Sequence, residues 1–177
     1  VPPASPVLVW GDNTFGQSAA SELATNAIAV AAGAWHTLAL RADGRVVAWG
    51  DNSSGQCGDG EPMTNALAIA AGGYHNLAIQ RDGAVVAWGA NDYGQASVPP
   101  GLGDVIAVAA GTWHSVALRA NGTVVVWGDD SFGQKSRQPA GLTQVVAVAA
   151  GGNHTLALKA DGRVVAWGEN ADGEGSV

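Results

Sequence analysis

Residues Ala29 to Gln56 read AVAAGAWHTLALRADGRVVAWGDNSSGQ, and the chain repeats this sentence with few changes. Trp-Gly recurs at Trp10, Trp49, Trp88, Trp127 and Trp167, at spacings of 39, 39, 39 and 40. Ala-Ala-Gly, separated by two residues from a histidine, gives His36, His75, His114 and His154. Gly-Gln closes four of the units, and the fifth ends Gly173-Glu174. A fixed period of this size is the mark of a solenoid or a propeller.

Within the unit, the step of 18 positions from the first Ala of Ala-Ala-Gly to the Trp never changes. The one insertion falls between Gln134 and Ala149, so the invariant part reads as rigid structure and the rest as connection. Pro62, Pro99, Pro100 and Pro139 all fall in those connections. Ile28 to Ala32 is a short apolar run, His36 to Leu40 alternates, and Val46 to Trp49 returns. The turns between the last two runs carry Gly44, Gly83, Gly122 and Gly162, each after Asp or Asn, a hairpin signal because glycine adopts positive φ without strain. Only Ala19 to Ala27 offers a turn of helix, and the other copies lack it.

Three strands per unit, apolar on both faces, predict an all-β fold: a β-propeller of three-stranded blades with a 39–40 residue repeat. Four complete blades and one leading strand, Val7 to Trp10, are expected. One repeat domain over 1–177 then divides at about 1–17 (partial), 18–56, 57–95, 96–134 and 135–174. The Ala-rich strand suits the crowded centre and the Trp strand the rim, where blades splay apart. A β-hairpin solenoid is the alternative.

Composition agrees with a packed chain. Hydrophobic residues make up 47% and charged ones 13%, so the 26 glycines among 177 residues are not those of a linker. No apolar run is long enough for a membrane-crossing helix, and no membrane partner is expected. The net charge of −7 argues against a nucleic-acid partner. Cys57 stands alone and reads as an exposed, incidental thiol in a connection.

The motif resembles the regulator of chromosome condensation repeat propellers, and most closely their short-blade relatives, the propeller-type β-lactamase inhibitor proteins of bacteria. The resemblance implies a non-catalytic protein-binding propeller, usually of seven blades, in a bacterial, extracytoplasmic setting. Two departures stand out. Seven blades of this length need about 270 residues, and no connection is long enough for the wedge insertion of the nucleotide-exchange members.

The recurring residues divide by role. His36, His75, His114 and His154 share parity with apolar neighbours and are expected to hydrogen-bond backbone of their own or the next blade, rather than to ring a metal. The acids after Trp-Gly (Asp12, Asp51, Asp129, Glu169) suit Asx turns better than calcium, and Ala90 breaks their pattern. No cofactor, metal or catalytic constellation is expected. All eleven aromatics fall on three repeat positions. Trp10, Trp49, Trp88, Trp127 and Trp167 are expected in the core. Trp35, Tyr74 and Trp113 precede histidines, while Phe15, Tyr93 and Phe132 precede Gly-Gln. These six lie in loops on a rigid scaffold and are the candidate protein-binding residues. The alternative is that they pack against neighbouring loops, in a purely structural array without a dedicated ligand.

Four blades either close into a small ring, stay open, or are completed by another chain. Self-association of two chains into eight blades is expected from the apolar faces of an open arc. A start at Val1-Pro2-Pro3, without Met, equally suggests a piece of a longer propeller.

Overall fold

The computed structural model describes residues 7–19, 24–58 and 63–174. The expected helical turn at Ala19 to Ala27, Pro62 and Val1-Pro2-Pro3 therefore fall wholly or partly outside the described residues. Among the described residues, twelve strands form four separate three-stranded antiparallel sheets. Blade one is β1 (Ala27–Ala32), β2 (His36–Arg41) and β3 (Val46–Gly50). Blade two is β4 (Ala66–Ala71), β5 (His75–Gln80) and β6 (Val85–Gly89). Blade three is β7 (Val105–Ala110), β8 (His114–Arg119) and β9 (Val124–Gly128). Blade four is β10 (Val145–Ala150), β11 (His154–Lys159) and β12 (Val164–Gly168). Successive first strands neighbour one another, β1 with β4, β4 with β7 and β7 with β10, and the sheets do not close into a ring.

Local chemistry explains the hairpins. Gly44 has φ +83°, its N–H donates to Arg41 O at 2.9 Å, and Asp43 Oδ1 accepts the Arg45 N–H. Only the glycine of the Asp-Gly pair takes positive φ, which is the three-residue turn with a glycine bulge, not the two-residue primed turn. A second left-handed position precedes each first strand: Asn26, Asn65, Asp104 and Gln144 have φ of 55–68°. Their carbonyls accept from the residue after strand two, for example Ala42 N–H to Asn26 O at 2.9 Å.

The core lies between blades. Leu38, Leu40 and Val46 of blade one pack with Ala66, Ile69, Ala78 and Trp88 of blade two. Leu77 and Ile79 meet Val108, Ala117 and Trp127 across the next seam, and Val116 and Leu118 meet Val148, Ala157 and Trp167 across the third. Trp88, Trp127 and Trp167 are thus wedges directed at the preceding blade, and Trp49 packs in the same way on Val7, Val9 and Ala24.

Two expectations change at the start of the chain. Val7 to Trp10 belong to no strand: Val7 and Val9 pack on Ala24, Ala39 and Trp49, but no second strand stands among the described residues for them to pair with. Trp10 is 86% exposed and in no core cluster among the described residues, whereas Trp49, Trp127 and Trp167 are buried and Trp88 half-buried.

Candidate functional site

Two sets of repeat residues converge at the strand ends opposite the hairpin turns: the histidines inside the seams, the aromatics on the surface above them.

The histidines form a relay with the next blade's side chains, which corrects the expected bond to backbone. His36 Nε2 lies 2.7 Å from Asn76 Oδ1, His75 Nε2 2.9 Å from Ser115 Oγ, and His114 Nε2 3.0 Å from Thr155 Oγ1. The partner is always the residue after the next unit's histidine, a position that varies among Thr, Asn and Ser and so gave no signal in the sequence. Asn76 Nδ2 donates to Gln56 O at 2.7 Å and Ser115 Oγ donates to Gln95 O at 2.8 Å. The same carbonyls accept the indole N–H of Trp88 and Trp127, at 3.0 and 2.9 Å. One carbonyl thereby ties the turn of one blade to two strands of the next.

This arrangement sets the tautomers. With their donors committed to carbonyls, Asn76 Oδ1 and Ser115 Oγ accept from imidazole, so Nε2 carries the hydrogen and Nδ1 is bare. The Nδ1 atoms of His36, His75 and His114 are buried without a partner. Burial lowers the pKa of all three, to about 4 for His75 and His114; for His75 the neighbouring His114 and His36 lower it further. His36, His75 and His114 each sit in a separate seam, and His154 lies on the last blade, so the four do not converge. Among the described residues no group of three or more His, Cys, Asp or Glu could hold a metal ion.

Glycine is obligatory beside each ring. A Cβ on Gly111 would strike the His114 imidazole and stand 2.6 Å from Gly151 O in the next blade. The Ala-Ala-Gly ends line an axial hollow of about 300 Å³, bounded by Ala and Gly with Thr112 and without ionisable side chains.

The Gly-Gln turn is a small hydrogen-bonded unit. Gln56 Oε1 accepts the Ser54 N–H, and its Nε2 donates to Asp51 Oδ2 at 2.8 Å. Gln134 and Asp129 repeat this, while Glu174 keeps only the accepting half, from the Asp172 N–H. Where Ala90 replaces the acid, Gln95 Nε2 is buried without a partner. Asp51 Oδ1 accepts the Ser53 N–H two residues on, an Asx turn. Cys57 is not the exposed thiol expected: it is half-buried, its Sγ donates to Asp51 O at 3.2 Å, and burial raises its pKa.

Over this framework the aromatics join. Tyr74 and Trp113, from successive blades, stack at 4.8 Å and 16°. Trp35 Nε1 donates to Tyr74 OH at 3.1 Å. Phe15 meets Trp35 edge-on at 5.3 Å, and Tyr93 meets Trp113 at 5.5 Å. Five of the six candidate residues therefore make one ledge across three blades. Trp35, Tyr74 and Trp113 are half-buried at its base; Phe15 and Tyr93, 49% and 53% exposed, stand at its rim. Phe132 is exposed, with no ring contact among the described residues; its partner position is held by Asn153, which donates to Glu169 Oε2. In the sequence the two aromatic sets are separate. Their pairing, at 20 residues' distance, follows from the end of strand one lying beside the turn after the preceding blade's third strand.

Residues 27–56, 67–95, 105–134 and 145–174, more than half of the chain, match the model of the Regulator of chromosome condensation (RCC1) repeat. Among solved structures, Prp20p from Saccharomyces cerevisiae, described with its binding to Gsp1p and histones, is 26% identical. The match covers 81% of this chain and 44% of that one, with a TM-score of 0.69. The ectodomain of the receptor kinase CR4 from Physcomitrella patens is 25% identical over 92% of this chain and 47% of that one, with a TM-score of 0.74. Human WBSCR16, at 24% identity, shares the fold over 90% of this chain and 56% of that one, with a TM-score of 0.75. The chain thus spans about half the length of these proteins. No curated protein matches it.

Proposed function

The chain belongs to the Regulator of chromosome condensation (RCC1) repeat family, and on that premise we propose that it is a non-catalytic scaffold that binds a protein through the aromatic ledge of Trp35, Tyr74, Trp113, Phe15 and Tyr93. The observation that carries this reading is a continuous aromatic surface on a rigid β framework, since large rings held in place lose little entropy on binding. Prp20p, with its protein partners, supports it by likeness. Phe132 belongs to the same face and is a further candidate.

The test is Phe15→Ser and Tyr93→Ser at the rim, followed by Trp113→Ala at the base, each assayed for co-purifying partner and for thermal stability. Loss of the partner by the rim variants, with the melting temperature unchanged, supports binding. A partner retained by all three refutes it. A fall in stability alone favours the structural array, which the Tyr74–Trp113 stack itself supports, such pairs contributing about 1 kcal/mol. β-Lactamase inhibition is the special case in which these rim variants relieve inhibition of the purified enzyme.

Self-association rests on a different observation. Leu158 and Val164 on the outer side of blade four are 38% and 43% exposed, where Leu40, Ile79 and Leu118, and Val46, Val85 and Val124, are buried by a following blade. A second copy covering this side gives twice the monomer mass in light scattering; a compact monomer refutes it.

A further inference from the structure

The two ends of the blades differ in charge: bases and acids mix at one, and acids alone stand beside the aromatic ledge at the other. Of the eight Lys and Arg residues, Arg41, Arg45, Arg81, Arg119, Lys159 and Arg163 lie at or beside the hairpin turns that join second and third strands, together with Asp43, Asp82, Asp104 and Asp161. The loops of the aromatic ledge hold acids alone. From Val7 to Gln134, the loops that hold the ledge contain Asp12, Asp51, Asp92, Asp129 and Asp130 and no Lys or Arg. Lys135 and Arg137 appear only beyond Phe132, past the last ring contact.

The placement has no structural need behind it throughout. Asp51 and Asp129 hold the glutamine turns, but Asp92 is exposed beside Tyr93 and stands where other units have Thr14, Ser53 and Ser131. A carboxylate at that position adds charge next to the most exposed ring of the ledge and removes the hydroxyl that the other units use.

We propose that the ledge takes a cationic polypeptide segment, rich in arginine or lysine, with the aliphatic stems over the rings of Trp35, Tyr74 and Trp113 and the charged heads toward Asp12, Asp51 and Asp92. This rests on the protein-binding reading above and names the partner's chemistry. An aromatic surface fringed by acids meets a cation twice, through the ring quadrupole and through Coulomb attraction, and the guanidinium plane stacks on indole where an ammonium does not. A neutral apolar segment would use the rings and leave the carboxylates facing a desolvated surface; an anionic one would be repelled.

The experiment uses the full chain and three 12-residue probes, (Arg-Gly)6, (Glu-Gly)6 and (Phe-Gly)6, followed by the indole N–H resonances in NMR. (Arg-Gly)6 is expected to shift Trp35 and Trp113 while leaving the buried Trp127 and Trp167 in place. Its affinity should fall about tenfold between 50 and 300 mM salt. Asp92→Lys should weaken it about fivefold or more, whereas Asp82→Lys, the same charge change at the hairpin end, should weaken it less than about twofold. Shifts of Trp35 and Trp113 by (Phe-Gly)6 or (Glu-Gly)6 and not by (Arg-Gly)6 would overturn the cationic inference and leave the ledge as a binding surface. Equal weakening by Asp92→Lys and Asp82→Lys overturns it as well, since the peptide would be reading net charge. If no probe moves either indole, the inference fails, and partner retention in the rim variants decides separately whether the ledge binds anything.

Discussion

Acid should loosen the blade seams before it reaches the carboxylates. His75 and His114 are buried, each hydrogen-bonded through Nε2 to the next blade, with Nδ1 facing no acceptor. Their pKa falls from 6.5 to about 4. In the unfolded chain each takes a proton near pH 6.5, while the folded chain refuses it until about pH 4. The unfolded state therefore binds more protons throughout that window, and stability is complete above pH 6.5 and lost as the pH falls. At pH 5 the difference amounts to about 2 kcal/mol for each residue, or about 4 kcal/mol together, against a typical total of about 5–15 kcal/mol. His36, also lowered, adds in the same direction. Urea unfolding at pH 8 and pH 5 measures the loss, in a range above most carboxylate titration. His75→Gln keeps a side-chain N–H donor and removes one titration, so it should lower the pH dependence by about 2 kcal/mol at pH 5, and His75→Gln with His114→Gln should leave only the part that His36 contributes. Refutation takes either of two forms: unfolding free energies equal at the two pH values, or ring C–H resonances of His75 and His114 that titrate near 6.5 in the folded protein.

Other consequences are local. Gly111→Ala drives a methyl into the His114 ring and toward Gly151 O, and should cost about 3 kcal/mol, whereas Gly103→Ala, with open space around it, should be neutral within about 0.5 kcal/mol; paired urea melts compare them. Ala90→Asp restores the missing acceptor for Gln95 Nε2, and, made together with Asp92→Ser to avoid a second carboxylate, should stabilise by about 1–2 kcal/mol relative to Asp92→Ser alone. Ser115→Ala strips His75 Nε2–H of its acceptor and Gln95 O of one donor, at a cost of about 1–3 kcal/mol, and its melt should lose cooperativity between blades two and three.

What lay open in the residue order is what neighbours in the chain determine. Alternation over His36 to Leu40, an Asp-Gly pair, and an apolar return ending in Trp49 build a hairpin without reference to anything distant, so repetition of that pattern yielded the blades. The Gln side chain closing on its own turn belongs to the same class. Partners across a seam are another matter. Which atom meets His36 depends on Asn76, 40 residues away in another sheet; why Gly111 admits no methyl depends on Gly151 O of the following blade. The left-handed residues before each first strand hid behind three residue types, since Asn, Asp and Gln all occupy that conformation there. Trp10 and Trp49 share a motif, yet one is exposed and the other buried, because Val7, Val9 and Ala24 cover Trp49 and no core cluster among the described residues takes in Trp10. The aromatic ledge is likewise a product of packing: two sets of rings, unrelated along the chain, meet because the seam brings one blade's loop to its neighbour's turn. Local spacing therefore determined the blade, and contact between blades decided what each repeated residue does.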